Sequence, residues 1–192
     1  MKVINQFVTV ILFALLLSTP AAADSPTKVT LHGQPLTLVG QPLRLGGALP
    51  AMSLPDTGLR PVSLKSFKGK VTIISVVPSI DTAVCEKQTH ILSEENAGLD
   101  RTANLITISR DLPFAQKRFA KAANIQNVRF LSDYREADFG RAAGLLIEEN
   151  RLLSRAILVL DAEGIIRHLE VVPDLGQLPK MEKAFAVARS LP

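Results

Sequence analysis

Val71-Thr72-Ile73-Ile74-Ser75-Val76-Val77 runs directly into Pro78-Ser79-Ile80-Asp81-Thr82-Ala83-Val84-Cys85, and the reading of this stretch decides the fold. The first seven residues are mostly β-branched and apolar, and Pro78 stops them, so they read as a buried strand. From Val84 onward the periodicity changes. Val84, Gln88, Ile91 and Leu92 share one helical stripe, while Glu86, Lys87 and Glu94 fall elsewhere. Asp81 or Thr82 can cap this helix, and Asn96-Ala97-Gly98 can end it, because glycine readily takes the left-handed conformation. Leu105-Ile106-Thr107-Ile108-Ser109 is the next strand. Together these segments form a β-α-β unit of the length expected for a parallel pair.

This arrangement puts the single cysteine of the chain in the first turn of a helix, just past a strand. A thiol reacts as its thiolate, and a free cysteine titrates near pH 8.5, at about the top of the physiological range. Unpaired N–H groups and the positive end of the helix macrodipole both favour an anion at such a position. A lone cysteine is equally at home as a small buried filler, so position alone does not decide between the two.

The rest of the chain extends outward from that unit. Segment 29–39 reads as a hairpin around Gly33-Gln34, with Pro35 confining the second strand to an edge. The stretch 41–61 is rich in glycine and proline and is expected to be irregular. Residues 64–67 make one short helical turn, ended by Gly69. Asp111-Leu112-Pro113 starts another helix, with Asp111 as a candidate cap and Phe114, Phe119 and Ala122 on its apolar face. A short strand over 128–132 precedes a short helix over 137–143, stopped at Gly144. Strands over 155–160 and 165–172 flank the turn Asp161-Ala162-Glu163-Gly164. An amphipathic helix over 178–190 closes the chain, with Met181, Phe185, Val187 and Ala188 near its apolar face. This order of elements predicts an α/β thioredoxin-like fold: a mixed central sheet, helices on both faces, and an N-terminal β-hairpin.

At the other end, Lys2 and a run of apolar residues over 8–17 precede Ala21-Ala22-Ala23. A thin positive region, an apolar run of this length and an A-x-A ending predict a cleaved export signal over 1–23. The apolar run is shorter than the roughly 20 residues of a membrane span, although an uncleaved anchor is the competing reading. The working domain is then 24–192, in an exported compartment, expected to be the bacterial periplasm, with no stable membrane association after cleavage.

Composition narrows the function. The chain has 192 residues, is 47% hydrophobic, and carries a formal charge of +4 with no Trp and one Tyr. Its Lys and Arg residues are scattered, and stacking aromatics are scarce, which argues against a nucleic-acid surface. One cysteine rules out an intramolecular disulfide and a cysteine-based metal site. His32, His90 and His168 lie far apart with no ligand spacing, so no metal or cofactor is expected.

Gly69-Lys70, the strand, and Pro78-Ser79-Ile80-Asp81-Thr82-Ala83-Val84-Cys85 resemble the active-site segment of the peroxiredoxins. The form is that of the thiol peroxidase subfamily, of the atypical two-cysteine type. Ser109-Arg110-Asp111-Leu112-Pro113-Phe114-Ala115-Gln116-Lys117-Arg118-Phe119 resembles that subfamily's second signature. Ser154-Arg155-Ala156-Ile157-Leu158-Val159-Leu160-Asp161 resembles the segment bearing its active-site arginine. The resemblance implies that Cys85 attacks the peroxide and that the Thr82 hydroxyl contacts both thiolate and peroxide. It also implies that Pro78 shields the sulfur from water and that Arg155 stabilises the thiolate and polarises the peroxide. Read alone, Thr82 is better taken as a helix cap and Arg155 as a surface charge. A homodimer is implied as well.

The sequence departs from that pattern at Ala120, where the subfamily carries its resolving cysteine. The predicted function is therefore a peroxidase acting on hydrogen peroxide and organic hydroperoxides through a Cys85 sulfenic acid. An external thiol or a thioredoxin-like reductant must complete the cycle. The alternative is an exported peroxide sensor or adaptor that forms mixed disulfides through Cys85 without sustained turnover.

Overall fold

The computed structural model describes residues 28–192, so the predicted export signal lies outside the described residues. Strands β1 (Val29–Leu31) and β2 (Gln34–Leu36) form the expected N-terminal hairpin, with Val29 opposite Leu36. Its turn is one residue earlier than predicted. His32 and Gly33 have φ of 51° and 77°, the two positive values that a tight two-residue hairpin turn requires. Strand β3 (Leu38–Val39) leaves that hairpin.

The glycine- and proline-rich stretch contains a hairpin that periodicity did not reveal, β4 (Ser53–Pro55) paired with β5 (Pro61–Ser63). Its turn is held by Asp56, whose Oδ1 accepts from the N–H groups of Gly58 and Arg60 at 2.8 and 3.0 Å. Asp56 Oδ2 accepts from the Arg60 guanidinium. A carboxylate clamp, rather than alternating hydrophobicity, makes this element.

A 3-10 turn over Leu64–Phe67 then delivers the chain into β6 (Thr72–Val76), every residue of which is buried. Helix α1 (Ala83–Glu94) follows, and then β7 (Asn104–Ser109), α2 (Pro113–Ala122) and β8 (Arg129–Ser132). The chain continues through α3 (Asp138–Ala143), β9 (Leu146–Ile147), β10 (Ala156–Leu160), β11 (Ile166–Val171) and α4 (Met181–Ser190). Strand β9 was not foreseen. It is two residues long and exists by pairing with β3.

The central sheet has five strands in the order β11-β10-β6-β7-β8. Strands β6, β7 and β8 are parallel, and β10 is antiparallel to both of its neighbours. Alternation along each strand feeds two cores. Ile73, Leu105, Phe130, Ile157 and Val159 face a layer made by α1, α2 and α4. Ile74, Val76, Ile106, Ile108, Leu131 and Leu158 face α3 and the short β elements. The thioredoxin-like plan therefore holds, with three helices on one face and α3 on the other.

Helix α2 is rotated from its predicted face, whereas α1 buries Gln88 and Leu92 of its predicted stripe. In α2, Phe114 is 62% exposed and Ala122 is exposed, while Pro113 and Gln116 are buried. In α1 the buried set is Cys85, Gln88, Thr89 and Leu92. In both helices a glutamine turns inward to bond the sheet, Gln88 from the predicted stripe of α1 and Gln116 from outside the predicted face of α2. Helix α1 also ends before Gly98, because the Asn96 side chain takes up the Leu92 and Ser93 carbonyls. Gly98, at φ 85°, opens a 3-10 turn over Leu99–Arg101 instead.

His168 of β11 is buried against α4, and its Nε2 has no hydrogen-bond partner. Burial holds its pKa below the ordinary 6.5, and Lys183 adds to that effect against an opposing Glu170. The unfolded chain therefore binds this proton more readily. The resulting stability is complete above the ordinary value and is lost as pH falls through it. Urea midpoints measured from about pH 7 to pH 5 should fall more steeply for the wild type than for His168→Gln.

Candidate active site

Cys85 is the third residue of α1, and its side chain is fully buried. The turn is closed behind it by the Glu86 N–H on the Thr82 carbonyl at 2.9 Å, and by the Thr89 hydroxyl on the Cys85 carbonyl at 2.8 Å. Arg155 comes from the residue before β10. The pairing of Ala156 with Val76 sets that strand beside β6 and brings Arg155 close to the start of α1.

The Arg155 side chain is only 2% exposed. Its Nη2 donates to Cys85 Sγ at 3.4 Å. Nε and Nη2 both donate to the Leu175 carbonyl, at 3.0 and 2.8 Å. Nη1 donates to Gln88 Oε1 at 2.8 Å, and Gln88 Nε2 in turn donates to Ser75 Oγ at 2.8 Å and to the Ala156 carbonyl at 3.4 Å. Three acceptors thus fix one guanidinium. No carboxylate bonds to it among the described residues. The sulfur is its only bonded partner able to take a negative charge.

The remaining predicted residues lie on the segment before α1. Pro78 is buried two residues past the end of β6. Thr82 has the extended conformation of a capping residue (φ −123°, ψ 143°), but its side chain caps nothing and is exposed. Its Oγ1 donates to the Ser79 carbonyl at 3.2 Å. The structure therefore joins Cys85 and Arg155 directly. Thr82 and Pro78 stand on the loop that leads into the same turn.

Asp111 was read as a cap for α2, and the structure corrects this. Leu112 occupies the capping position, and Pro113 starts the helix. The Asp111 carboxylate reaches the loop before Cys85, where Oδ1 accepts from the Ser79 hydroxyl at 2.7 Å and Oδ2 from the Ile80 N–H at 2.9 Å. Gln88, Ser75 and the Leu175 carbonyl are further parts of the site that the sequence reading did not assign. Gln88 carried the one available signal, a polar residue on an inward-facing stripe. Ala120 is partly buried on α2, and Cys85 is free, with no second thiol in the chain to pair with it.

The Redoxin family model matches residues 44–185. The thiol peroxidase of Bacillus subtilis is 45% identical over 85% of this chain and 98% of its own length. That of Halalkalibacterium halodurans is 43% identical over 84% of this chain and 97% of its own. The crystal structure of a peroxiredoxin-like protein from Aquifex aeolicus superposes with a TM-score of 0.80 at 36% identity, covering 86% of this chain and 97% of that one. The chain belongs to the Redoxin family and, within it, to the thiol peroxidase subfamily of the peroxiredoxins.

Gln88→Met keeps the volume but removes the acceptor of Arg155 and the donor to Ser75. Leaving these buried groups unpaired should lower the unfolding free energy by about 1–3 kcal/mol, read from the urea midpoint with the slope unchanged.

Proposed function

We propose that this chain is a one-cysteine thiol peroxidase that reduces hydrogen peroxide and organic hydroperoxides with electrons from an external thiol. Thiol-dependent peroxidase chemistry comes with the family. The finer reading rests on one observation: a buried, carboxylate-free guanidinium bonded to the sulfur of the only cysteine in the chain.

The Cys85 thiolate attacks one peroxide oxygen, the O–O bond breaks, and the departing oxygen takes a proton as water or alcohol. Cys85 is left as a sulfenic acid. The Arg155 donors stabilise the negative charge that builds on the oxygens as the bond lengthens. Thr82 supplies a hydroxyl at the entrance, and the buried Pro78 keeps water from the sulfur. A first external thiol then displaces hydroxide from the sulfenic sulfur, giving water and a mixed disulfide. A second thiol releases Cys85 and leaves as the disulfide. Because Cys85 is fully buried, the first turn of α1 has to open before an outside thiol can reach it.

The protein is further proposed to act as a homodimer in the periplasm after removal of residues 1–23. Leu112 and Phe114, 52% and 62% exposed at the start of α2, offer an apolar surface for a second copy. The signal pattern supports export. A mass beginning near Asp24 in the periplasmic fraction is the expected observation, and the full-length mass would overturn it.

Stopped-flow mixing with peroxide should show one rapid turnover that is absent in Cys85→Ser. Arg155→Gln should slow it by about 10²–10³, as loss of a donor to a developing oxyanion does. Dithiothreitol should sustain turnover where thioredoxin does not, since Ala120 cannot form the intramolecular disulfide. Fast oxidation with no turnover in any thiol would instead favour the sensor or adaptor reading.

A further inference from the structure

We propose that Asp111 is a positioning residue for peroxide reduction, acting on Thr82 through Ser79. The inference rests on the peroxidase reading above and adds a residue outside the Cys85, Thr82, Pro78 and Arg155 set. Asp111 stands between β7 and α2, and its main chain is held at both ends. Its N–H donates to Ser109 Oγ at 3.4 Å, and its carbonyl accepts from Ser132 Oγ at 2.5 Å. Its carboxylate, so fixed, takes the Ser79 hydroxyl and the Ile80 N–H at 2.7 and 2.9 Å. Both of those groups belong to the link, 77–82, between β6 and α1.

The consequence falls on Thr82. A threonine hydroxyl has one proton and two lone pairs. The Thr82 proton goes to the Ser79 carbonyl, whose place is set by the Asp111 clamp on the same residue and the next. The lone pairs of Thr82 Oγ1 are then free to accept the O–H of an arriving peroxide, while Arg155 acts as the donor. Without the clamp, the Ser79 carbonyl loses its fixed direction and the Thr82 hydroxyl can turn. Peroxide would then meet a site whose donor is in place but whose acceptor is not. The chemical state of Cys85 is untouched by this, because none of these bonds reaches the sulfur or Arg155.

Three measurements on the full chain test the proposal. Asp111→Ala should slow the single-turnover reaction with hydrogen peroxide by about tenfold or more, in the range of a displaced reacting group. Asp111→Asn, which keeps an acceptor for the Ile80 N–H, should recover most of that rate. The rate of Cys85 alkylation by iodoacetamide should not fall in either variant, since alkylation needs no peroxide acceptor and a loosened clamp admits the reagent. In a Thr82→Val background, Asp111→Ala should cost less than about twofold further, the coupling expected of residues acting through one another. Ser79→Ala breaks the same clamp from the other side, and it should slow peroxide but not iodoacetamide if Asp111→Ala proves unstable.

An undiminished peroxide rate in Asp111→Ala, with Thr82→Val slowed, overturns this inference alone. So does a parallel loss of alkylation, or an additive effect in the Thr82→Val background. A Cys85→Ser variant that retains the fast peroxide phase would instead overturn the peroxidase reading itself.

Discussion

A guanidinium buried without a carboxylate is the constraint on which the site depends. Arginine keeps its charge at any working pH, and removing that charge from water is unfavourable by several kcal/mol unless its donors are satisfied. Here the Leu175 carbonyl and Gln88 Oε1 supply neutral acceptors. They meet the hydrogen-bonding need and leave the electrostatic one open. The sulfur of Cys85, at 3.4 Å, is the bonded group that can answer it. A carboxylate in place of Gln88 would satisfy the arginine more fully and would compete with the sulfur for its charge.

The fold meets this constraint with unequal means on its two sides. Arg155 is carried immediately before β10, an interior strand of the sheet lying between β6 and β11. Cys85 is carried by the first turn of a helix, and that turn is tied down by single hydrogen bonds from Glu86 and Thr89 and by the loop that Asp111 clamps. The arginine side is therefore rigid, while the cysteine side opens at lower free energy. A chain with one sulfur needs this asymmetry. Peroxide chemistry wants a closed, dry site, and an outside thiol needs an open one.

Much of this was legible in the residues. The β-α-β unit around Cys85 follows from a change of period at Pro78, and the arginine from the segment around Ser154-Arg155. What stayed hidden has a common character. Gln116 turns inward for hydrogen bonds, so a reading based on apolar spacing places Phe114 inside when it is outside. The β4–β5 hairpin rests on Asp56 binding two backbone N–H groups, and β9 rests on a partner more than a hundred residues away. Asp111 was assigned to the helix that follows it, as local sequence rules suggest. Its carboxylate instead serves a loop some thirty residues earlier. Polar contacts across long sequence separations leave little trace in local pattern.

The antiparallel register of β10 on β6 has a consequence for the newly made chain. Cys85 belongs to a local unit of neighbouring segments, whereas its arginine arrives from 70 residues downstream. Contacts of such separation form late, because a long loop must first be closed. A register error of one residue would turn Arg155 to the other face of the sheet. The nascent polypeptide thus carries an ordinary thiol through most of its folding, and the sulfur gains its electrostatic partner only when β10 closes correctly onto β6. Reactivity is thereby a mark of completed folding, and incomplete chains do not share it.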